Sequence, residues 1–202
     1  MRVFSGNGFG QLADFFGIDD PAFCGGGARA SVADVTGDGV GDLIVSAGFG
    51  GGPRVAVFDG KSLANGALTA KPFGDFFAFE PESRNGAFVT GGDLNGDGFA
   101  ELIAGGGPGG GPRVTAFSGQ SLLDNKQTVL ANFFGGDTGT RGGIRVAVKN
   151  LDGDDRADLV VGVGAGSRVT AYLGKSVQFK DRPPTGLDFD ALPGFAGGVF
   201  VG

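Results

Sequence analysis

Short runs of apolar residues, separated by glycine-rich and acidic segments, make up most of the chain. Val55 and Val57 alternate with more polar neighbours, as the residues of a half-buried strand do. Continuous apolar runs at 43–45 and 159–163 are typical of strands covered on both faces. No window has the period of a helix. The pattern therefore predicts an all-β protein.

The same pattern recurs three times along the chain. Acidic segments begin at Asp34, Asp93 and Asn150, at steps of 59 and 57 residues. A glycine pair or its equivalent precedes each acidic segment, and an Arg-Val strand and an Asp/Asn-Phe segment follow it. These markers are Gly26-Gly27, Asn85-Gly86 and Gly142-Gly143, then the strands from Arg54, Arg113 and Arg168, then Asp75, Asn132 and Asp188. They define repeats at about 26–84, 85–141 and 142–196, each with four short strands.

Repeated four-stranded units predict a particular architecture. Units of this size, all β and punctuated by glycine, are typical of a β-propeller, in which each small sheet buries its faces against its neighbours. Residues 1–25 match the third and fourth strands of the unit, and residues 197–202 match the first. We therefore expect a β-propeller of four-stranded blades, with three full repeats plus a split or incomplete fourth blade. A two-sheet sandwich is the alternative, but it does not explain the fixed sequence period.

Each repeat contains an acidic segment of the form D-x-[TN]-G-D-G-x-x-[DE] or a close variant, which we call loop 1 (34–42), loop 2 (93–101) and loop 3 (150–158). Ca²⁺ takes about six to eight oxygen ligands, and a short loop supplies them when alternate residues point inward. We expect side-chain ligands at positions 1, 3, 5 and 9 and a carbonyl ligand at position 7. The predicted metal ligands are Asp34, Thr36, Asp38, Val40 and Asp42 in loop 1; Asp93, Asn95, Asp97, Phe99 and Glu101 in loop 2; and Asn150, Asp152, Asp154, Arg156 and Asp158 in loop 3.

The alternative interpretation of these loops is three acidic hairpin turns, because Asp-Gly and Asn-Gly favour tight turns by themselves. A turn needs one Asp, however, and not three carboxylates held together. Gly39 and Gly98 at position 6 allow the positive φ of a sharp turn, whereas Asp155 occupies that position in loop 3. An EF-hand needs Glu at position 12, where this chain has apolar residues. Mg²⁺ is a poorer candidate because it requires tight octahedral geometry.

The loops and the segments after them resemble a known repeat. A loop, an apolar strand and then GFGGGP (48–53) or GPGGGP (107–112) are similar to the FG-GAP repeats of integrin α-chain propellers and of secreted bacterial surface proteins. The resemblance covers nearly the whole chain in three in-phase copies. It implies a propeller with Ca²⁺ held between the first and second strands of each blade. The third repeat departs from it, because GVGAGS (162–167) lacks proline.

Composition narrows the classes of function. The chain has a net charge of −6 and no histidine, which excludes Ser-His-Asp and Cys-His catalysis and imidazole-bound zinc. Its 16 Lys and Arg are dispersed, which argues against nucleic-acid binding. No apolar run approaches the roughly 18 residues of a membrane helix, and the first residues do not follow the order of a signal peptide. Cys24 has no partner for an internal disulfide, and we expect it to be a small buried hydrophobe.

Two other repeated features have structural explanations. Arg54, Arg113 and Arg168 recur at one place in the repeat, which favours structural salt bridges over ligand binding. The phenylalanine pairs at 15–16, 76–77 and 133–134 are expected to fill gaps between blades. Gly-Lys-Ser at 60–62 and 174–176 lacks the earlier glycine of a phosphate loop, so we interpret it as a turn.

These observations predict a calcium-binding extracellular or cell-surface module for binding, adhesion or assembly, with about three Ca²⁺ per chain. We expect a protein or glycan partner, no nucleic acid, no membrane insertion and no enzymatic activity. A calcium-stabilised, lectin-like sugar-binding propeller is one alternative. A structural subunit that self-associates through its incomplete blade is the other.

Overall fold

The computed structural model describes residues 1–19, 23, 25–67, 70–177 and 181–202, so that Cys24 lies outside the described residues. A strand pair is followed by three similar groups of four strands. The strands are β1 (Arg2–Phe4), β2 (Gln11–Asp14), β3 (Ala28–Ala33), β4 (Asp42–Ala47), β5 (Arg54–Phe58), β6 (Phe76–Phe77), β7 (Ala87–Gly92), β8 (Glu101–Gly106), β9 (Arg113–Phe117), β10 (Val129–Phe134), β11 (Ile144–Lys149), β12 (Asp158–Val163), β13 (Arg168–Tyr172) and β14 (Leu187–Asp190). Short helices follow the third strand of each group: α1 (Gly60–Ala64), α2 (Gly119–Leu123) and α3 (Gly174–Val177).

Each group of four strands forms its own antiparallel sheet. Sheet I is β3-β4-β5-β6, sheet II is β7-β8-β9-β10 and sheet III is β11-β12-β13-β14, while β1 and β2 form a two-stranded sheet. Each strand pairs with the next one in the chain, as in the register that sets Ile44 opposite Ser31 on one side and Val57 on the other. The all-β content and the four short strands per repeat are therefore confirmed.

The expected β-propeller is wrong. The described strands form four separate sheets of two, four, four and four strands, and none is closed or curled into a propeller. The β1-β2 pair packs on sheet I, where Ala13 joins a cluster with Val45 and Phe58. Residues 197–202 lie along sheet III instead, where the Val199 N–H donates to the Val163 carbonyl at 3.1 Å. No described strand hydrogen-bonds to both of these segments, so they do not share a sheet.

The three large sheets pack face to face, and their first strands are neighbours. Strand β7 contacts both β3 and β11. Adjacent residues of a strand point to opposite faces, so Leu102 packs with Ile44 toward sheet I while Ile103 packs with Ile144 toward sheet III. Every residue of β4 and β8 is buried. The prediction of a strand covered on both faces is therefore confirmed for the run at 43–45 in β4. The run at 159–163 in β12 is buried except for the half-buried Val160.

Glycines let the backbone approach itself closely at one end of each sheet. A Cβ on Gly107 would lie 1.8 Å from the Asn85 carbonyl oxygen, and a Cβ on Gly164 would lie 1.8 Å from that of Gly142. Neither distance leaves room for any side chain. This contact explains the glycine that follows the second strand of sheets II and III. The second residue of each pair before the acidic loops is glycine because Gly27, Gly86 and Gly143 have positive φ values of 67°, 63° and 69°.

The three short helices were not predicted. In α1 the Asp59 carboxylate caps the N-terminus by accepting the Ser62 N–H at 2.7 Å, and in α2 Ser118 accepts the Ser121 N–H at 3.2 Å. A single helical turn is too short to show a 3.6-residue period, so the Gly-Lys-Ser segments were wrongly interpreted as turns. No described helix has the length and apolar character needed to cross a membrane.

The repeated arginines form the expected structural pairs, each joining the third strand of a sheet to a residue in or directly before the fourth strand. The Arg54 Nη2 atom lies 2.6 Å from Asp75 Oδ2. The pairs are Arg54–Asp75, Arg113–Asn132 and Arg168–Asp188, and Arg113 also pairs with Glu80. The prediction of structural pairing is confirmed.

The phenylalanine pairs divide between core and surface. Phe76 and Phe133 are buried, at 5% and 4% exposure, whereas Phe77 and Phe134 are 43% and 53% exposed. Successive residues of a strand point to opposite faces, so only one of each pair can face the core. The prediction is confirmed for the first residue of each of these pairs and is wrong for the second.

Candidate metal-binding loops

The three acidic loops lie side by side at one edge of the row of sheets. Each loop joins the first strand of a sheet to the second. The Ala100 N–H of loop 2 donates to the Asp34 carbonyl of loop 1 at 2.8 Å, and the Ala157 N–H of loop 3 donates to the Asp93 carbonyl of loop 2 at 2.7 Å. All fifteen predicted ligands are among the described residues, and the loops form one hydrogen-bonded series.

The position-1 carboxylate closes loops 1 and 2. Asp34 accepts the backbone N–H groups of Asp38 at 3.0 Å and Gly39 at 2.7 Å. Asp93 accepts those of positions 5 and 6 in the same way, at 3.2 and 2.8 Å. Gly39 and Gly98 have φ values of 84° and 87°, so the positive φ predicted at position 6 is confirmed in these two loops.

Loop 3 has a different conformation. Asp155 at its position 6 is not among the described residues with positive φ. Asn150 replaces Asp at position 1; its oxygen accepts the Gly153 N–H at 2.7 Å, and its amide donates to the Asp154 carbonyl. An asparagine side chain both donates and accepts, whereas a carboxylate only accepts. The Asn150 side chain can therefore also bind a backbone carbonyl of loop 3, which an aspartate in its place could not do.

Position 5 behaves alike in all three loops. Its carboxylate accepts the backbone N–H of position 7 at 2.9 Å: Val40 to Asp38, Phe99 to Asp97 and Arg156 to Asp154. The position-7 side chain then packs on the preceding loop, since Phe99 covers Gly37 and Arg156 covers Gly96. The position-7 backbone is therefore held close to the position-5 carboxylate, as a shared metal site would require.

The position-9 acids are the most deeply buried of the predicted ligands. Asp42, Glu101 and Asp158 each have 0% exposure and begin the second strand of their sheet. Asp42 accepts the N–H groups of Val35 and Thr36 at 2.9 Å, and its other oxygen accepts that of Gly60 at 2.9 Å. Asp158 accepts the N–H groups of Leu151 at 2.6 Å and Gly174 at 2.9 Å in the same way. In loops 1 and 3, the position-9 carboxylate therefore ties its loop to the short helix after the third strand.

Glu101 is less well satisfied than its two counterparts. It accepts the Leu94 N–H at 2.8 Å and the Asn95 side-chain amide at 3.1 Å. Burial, and after it the nearby charges of Asp97 and Asp93, raise the pKa of Glu101 to about 8. Burial also raises the pKa of Asp42. A negative charge at position 9 of loops 1 and 2 is therefore costly without a cation beside it.

The position-3 residues contact different partners in each loop. The Thr36 hydroxyl donates to Asp34 at 3.4 Å, and the Asn95 amide donates to Asp97 at 2.8 Å. Asp152 instead lies 2.5 Å from the ammonium nitrogen of Lys175. Position 3 therefore faces the other predicted ligands in loops 1 and 2.

Two lysines enter the loops, and the sequence analysis missed both. Lys61 Nζ lies 3.0 Å from Asp38 Oδ2, and Lys175 Nζ lies 2.5 Å from Asp152 Oδ2 and 3.8 Å from Asp154 Oδ2. The hydrogen bonds from these lysines lower the pKa values of Asp38 and Asp152. The signal that could have found them is the recurrence of Gly-Lys-Ser in the same place of repeats 1 and 3.

The donor set of the loops fits Ca²⁺ by its chemistry. It consists of carboxylate, amide, hydroxyl and carbonyl oxygens, which suit hard cations better than zinc or copper. Within the described part of the chain, no group of three or more acidic or cysteine side chains converges closely enough to hold a metal ion. Each carboxylate has about four lone-pair positions, so the N–H bonds leave room for a cation. Binding would require the side chains of a loop to turn toward one another.

An open cleft of about 390 Å³ lies beside the outer strands of sheet III. Phe134, Tyr172, Arg168, Asp188 and Asp190 are among the residues that line it. Arg168 pairs with Asp188, and Asp190 accepts the Ser167 hydroxyl at 2.7 Å. The cleft therefore combines aromatic rings with oriented carboxylates outside the acidic loops.

Similarity to known proteins adds nothing to this site. No family model matches the chain, and no curated protein matches it. The functional assignment depends on the loops and their surroundings.

Proposed function

We propose that this protein is a calcium-binding module that acts outside the cell or at the cell surface, where it binds or assembles with a protein or glycan partner. One observation carries the proposal: every loop places a carboxylate of 0% exposure at position 9, beside two further acidic side chains. Such a concentration of charge around a buried carboxylate favours a cation as the ligand.

Ca²⁺ would neutralise the three carboxylates of a loop and join the first and second strands of its sheet. The predicted ligands at positions 1, 3, 5 and 9 supply side-chain oxygens, and position 7 supplies its carbonyl. Because Asp42 also accepts the Gly60 N–H, and Asp158 that of Gly174, fixing position 9 also fixes the end of the third strand. The ions would thus stabilise the edge of the molecule that carries all three loops.

A module outside the cell would meet calcium at the concentration that such modules need. Extracellular modules bind Ca²⁺ with Kd values of roughly 0.1–1 mM, which the calcium outside cells can saturate. For a Kd of about 0.1 mM, about 1 mM Ca²⁺ adds about 1.4 kcal/mol to the free energy of unfolding for each site. The resemblance of the loops to FG-GAP repeats supports the same assignment.

Chemical or thermal unfolding in chelator, in Ca²⁺ and in Mg²⁺ tests calcium binding. The informative variant is Asp38→Asn/Asp97→Asn/Asp154→Asn, because Asn keeps an oxygen that accepts the position-7 N–H but removes the charge. We expect about 4 kcal/mol of stabilisation by Ca²⁺ in the unmodified chain, little by Mg²⁺, and a large loss of the calcium effect in the variant.

The matched control changes the same number of charges outside the loops. Asp14, Asp124 and Asp137 are exposed, and their replacement by Asn should leave the calcium effect intact. Equal stability of the unmodified protein with and without Ca²⁺ would refute the proposal. Equal calcium stabilisation of the loop variant would refute the assignment of the ligands.

The cleft on sheet III favours sugar binding as a second candidate function. Aromatic rings and oriented carboxylates are the groups that bind sugar faces and hydroxyls, and Tyr172 and Asp188 both line this cleft. A glycan array probed with the loop variant and with Asp188→Asn separates the two functions. Sugar binding that survives the loop changes and is lost with Asp188→Asn would support the cleft; absence of binding to any glycan would remove this candidate.

A further inference from the structure

The three acidic loops differ in the residue that follows the first glycine of the adjacent short helix. Helix α1 has Lys61 there and α3 has Lys175, but α2 has Gln120. The three positions are equivalent in the repeat, since each lies between a glycine and a serine. The chain therefore contains two copies of a loop with a lysine and one copy without.

Each lysine places its ammonium group among predicted metal ligands. Lys61 Nζ lies 3.0 Å from Asp38 Oδ2 and donates to the Asp38 carbonyl at 3.1 Å. Lys175 Nζ lies between Asp152 and Asp154, at 2.5 and 3.8 Å from their carboxylate oxygens. Each lysine thus supplies one positive charge next to the carboxylates that are predicted to bind the metal ion.

Loop 2 has no such group. Among the described residues, none of Asp93, Asp97 and Glu101 forms an ion pair with a lysine or arginine within 4.0 Å. The Arg156 side chain packs over Gly96, but it is not in ion-pair contact with these carboxylates. Loop 2 also contains the fully buried Glu101, whose side chain is met only by neutral donors.

We propose that Lys61 and Lys175 act as internal counter-ions that compete with Ca²⁺ in loops 1 and 3, so that loop 2 is the tightest calcium site of the chain. This inference depends on the proposed calcium-binding function and divides its three sites into one strong and two weaker ones. To bind at loop 1, Ca²⁺ must displace the ammonium from Asp38 and then tolerate a positive charge nearby. At loop 2 no ammonium group has to be displaced.

The size of the effect follows from the exposure of the lysines. The Lys61 and Lys175 side chains are 53% and 50% exposed, so each ion pair is a surface pair. Breaking such a pair is expected to weaken calcium binding by roughly two- to fivefold. Salt screens surface charges, so the difference between loops should be largest at low ionic strength.

Backbone amide NMR during a Ca²⁺ titration of the full chain reads each loop separately. The Gly39 amide reports on loop 1, the Gly98 amide on loop 2 and the Gly153 amide on loop 3. Loop 2 should saturate first. Lys61→Gln should tighten the loop-1 Kd by roughly two- to fivefold without changing the loop-2 Kd, and Gln120→Lys should weaken loop 2 by a similar factor.

Lys71→Gln is the matched control, because Lys71 pairs with Asp75 at 2.6 Å and lies outside the loops. It changes the net charge as Lys61→Gln does and should alter no loop. If the three loops titrate with equal Kd values that Lys61→Gln and Gln120→Lys leave unchanged, calcium binding stands and the lysine competition is wrong. If no loop amide shifts with Ca²⁺, the proposed function itself fails.

Discussion

Replacing Glu101 by Gln should change how the stability of the calcium-free protein depends on pH. Glu101 has 0% exposure, and its burial and the charges of Asp97 and Asp93 raise its pKa from 4.5 to about 8. Gln has nearly the same shape and cannot ionise. The variant therefore removes one titration while leaving the packing of the loop nearly unchanged.

The sign follows from proton binding. The folded pKa lies above the unfolded one, so between pH 4.5 and about 8 the folded state keeps a proton that the unfolded state has lost. This stability is fully present below the unfolded pKa and is lost as pH rises through the folded pKa. Linkage gives a loss of about 2–3 kcal/mol between about pH 5 and pH 7 for this single group. The raised pKa of Asp42 adds a loss of the same sign that the variant retains.

The assay is urea unfolding in chelator at a series of pH values from about 5 to 8. The free energy of unfolding of Glu101→Gln, relative to the unmodified protein, should increase by about 2–3 kcal/mol from pH 5 to pH 7. Glu82→Gln is the control, because Glu82 is an exposed residue of the same type, and its profile should parallel that of the unmodified protein. Parallel profiles for Glu101→Gln and the unmodified protein would show that Glu101 is not buried in its acidic form.

Three further substitutions test the packing by urea unfolding. Ile44→Ala removes a side chain of 0% exposure from the core between sheets I and II and should cost about 2–5 kcal/mol; a smaller loss would mean that the sheets do not pack as described. Gly107→Ala should cost about 1–3 kcal/mol or more because its Cβ would lie 1.8 Å from the Asn85 carbonyl oxygen, whereas Gly74→Ala, with nothing within 4 Å, should change little. Asp59→Ala removes the cap of α1 and should cost about 1 kcal/mol, and no change would mean that the helix does not need its cap.

Features of the fold that depend on local pattern could be predicted from the sequence. The apolar run at 43–45 became part of a fully buried strand because neighbouring sheets cover both of its faces. The equivalent arginines found carboxylate or amide partners, since their place in the repeat fixes their place in the sheet. Gly39 and Gly98 adopt the positive φ that their loop position requires.

Features that depend on how repeats assemble could not be predicted in the same way. Closure of a ring depends on whether the two incomplete ends can hydrogen-bond to each other, and the sequence period is the same whether or not they do. Residues 197–202 instead lie against Val163 of sheet III. The division of Phe76 and Phe77 between core and surface needed only the two-residue alternation of strands, which the sequence analysis did not apply to them.

The candidate site also has features that follow from local sequence and features that depend on how the sheet forms. The ligand positions follow a local spacing, and the structure places position 9 in the interior in all three repeats. Lys61 and Lys175 contact the loops from about twenty residues away in sequence, at separations of 23 residues from Asp38 and Asp152. A contact of this kind exists only after the first three strands have formed a sheet, so the loop pattern alone gave no sign of it.

A calorimetric titration of chelator-stripped protein with Ca²⁺ tests the central claim most directly. Three acidic loops predict close to three ions per chain, with the first bound more tightly than the other two. The loss of all three binding events in the variant with position 5 neutralised in every loop would confirm the assignment of the ligands. No heat of binding and no bound calcium at millimolar concentration would mean that the loops are only turns, and the proposed function would be wrong.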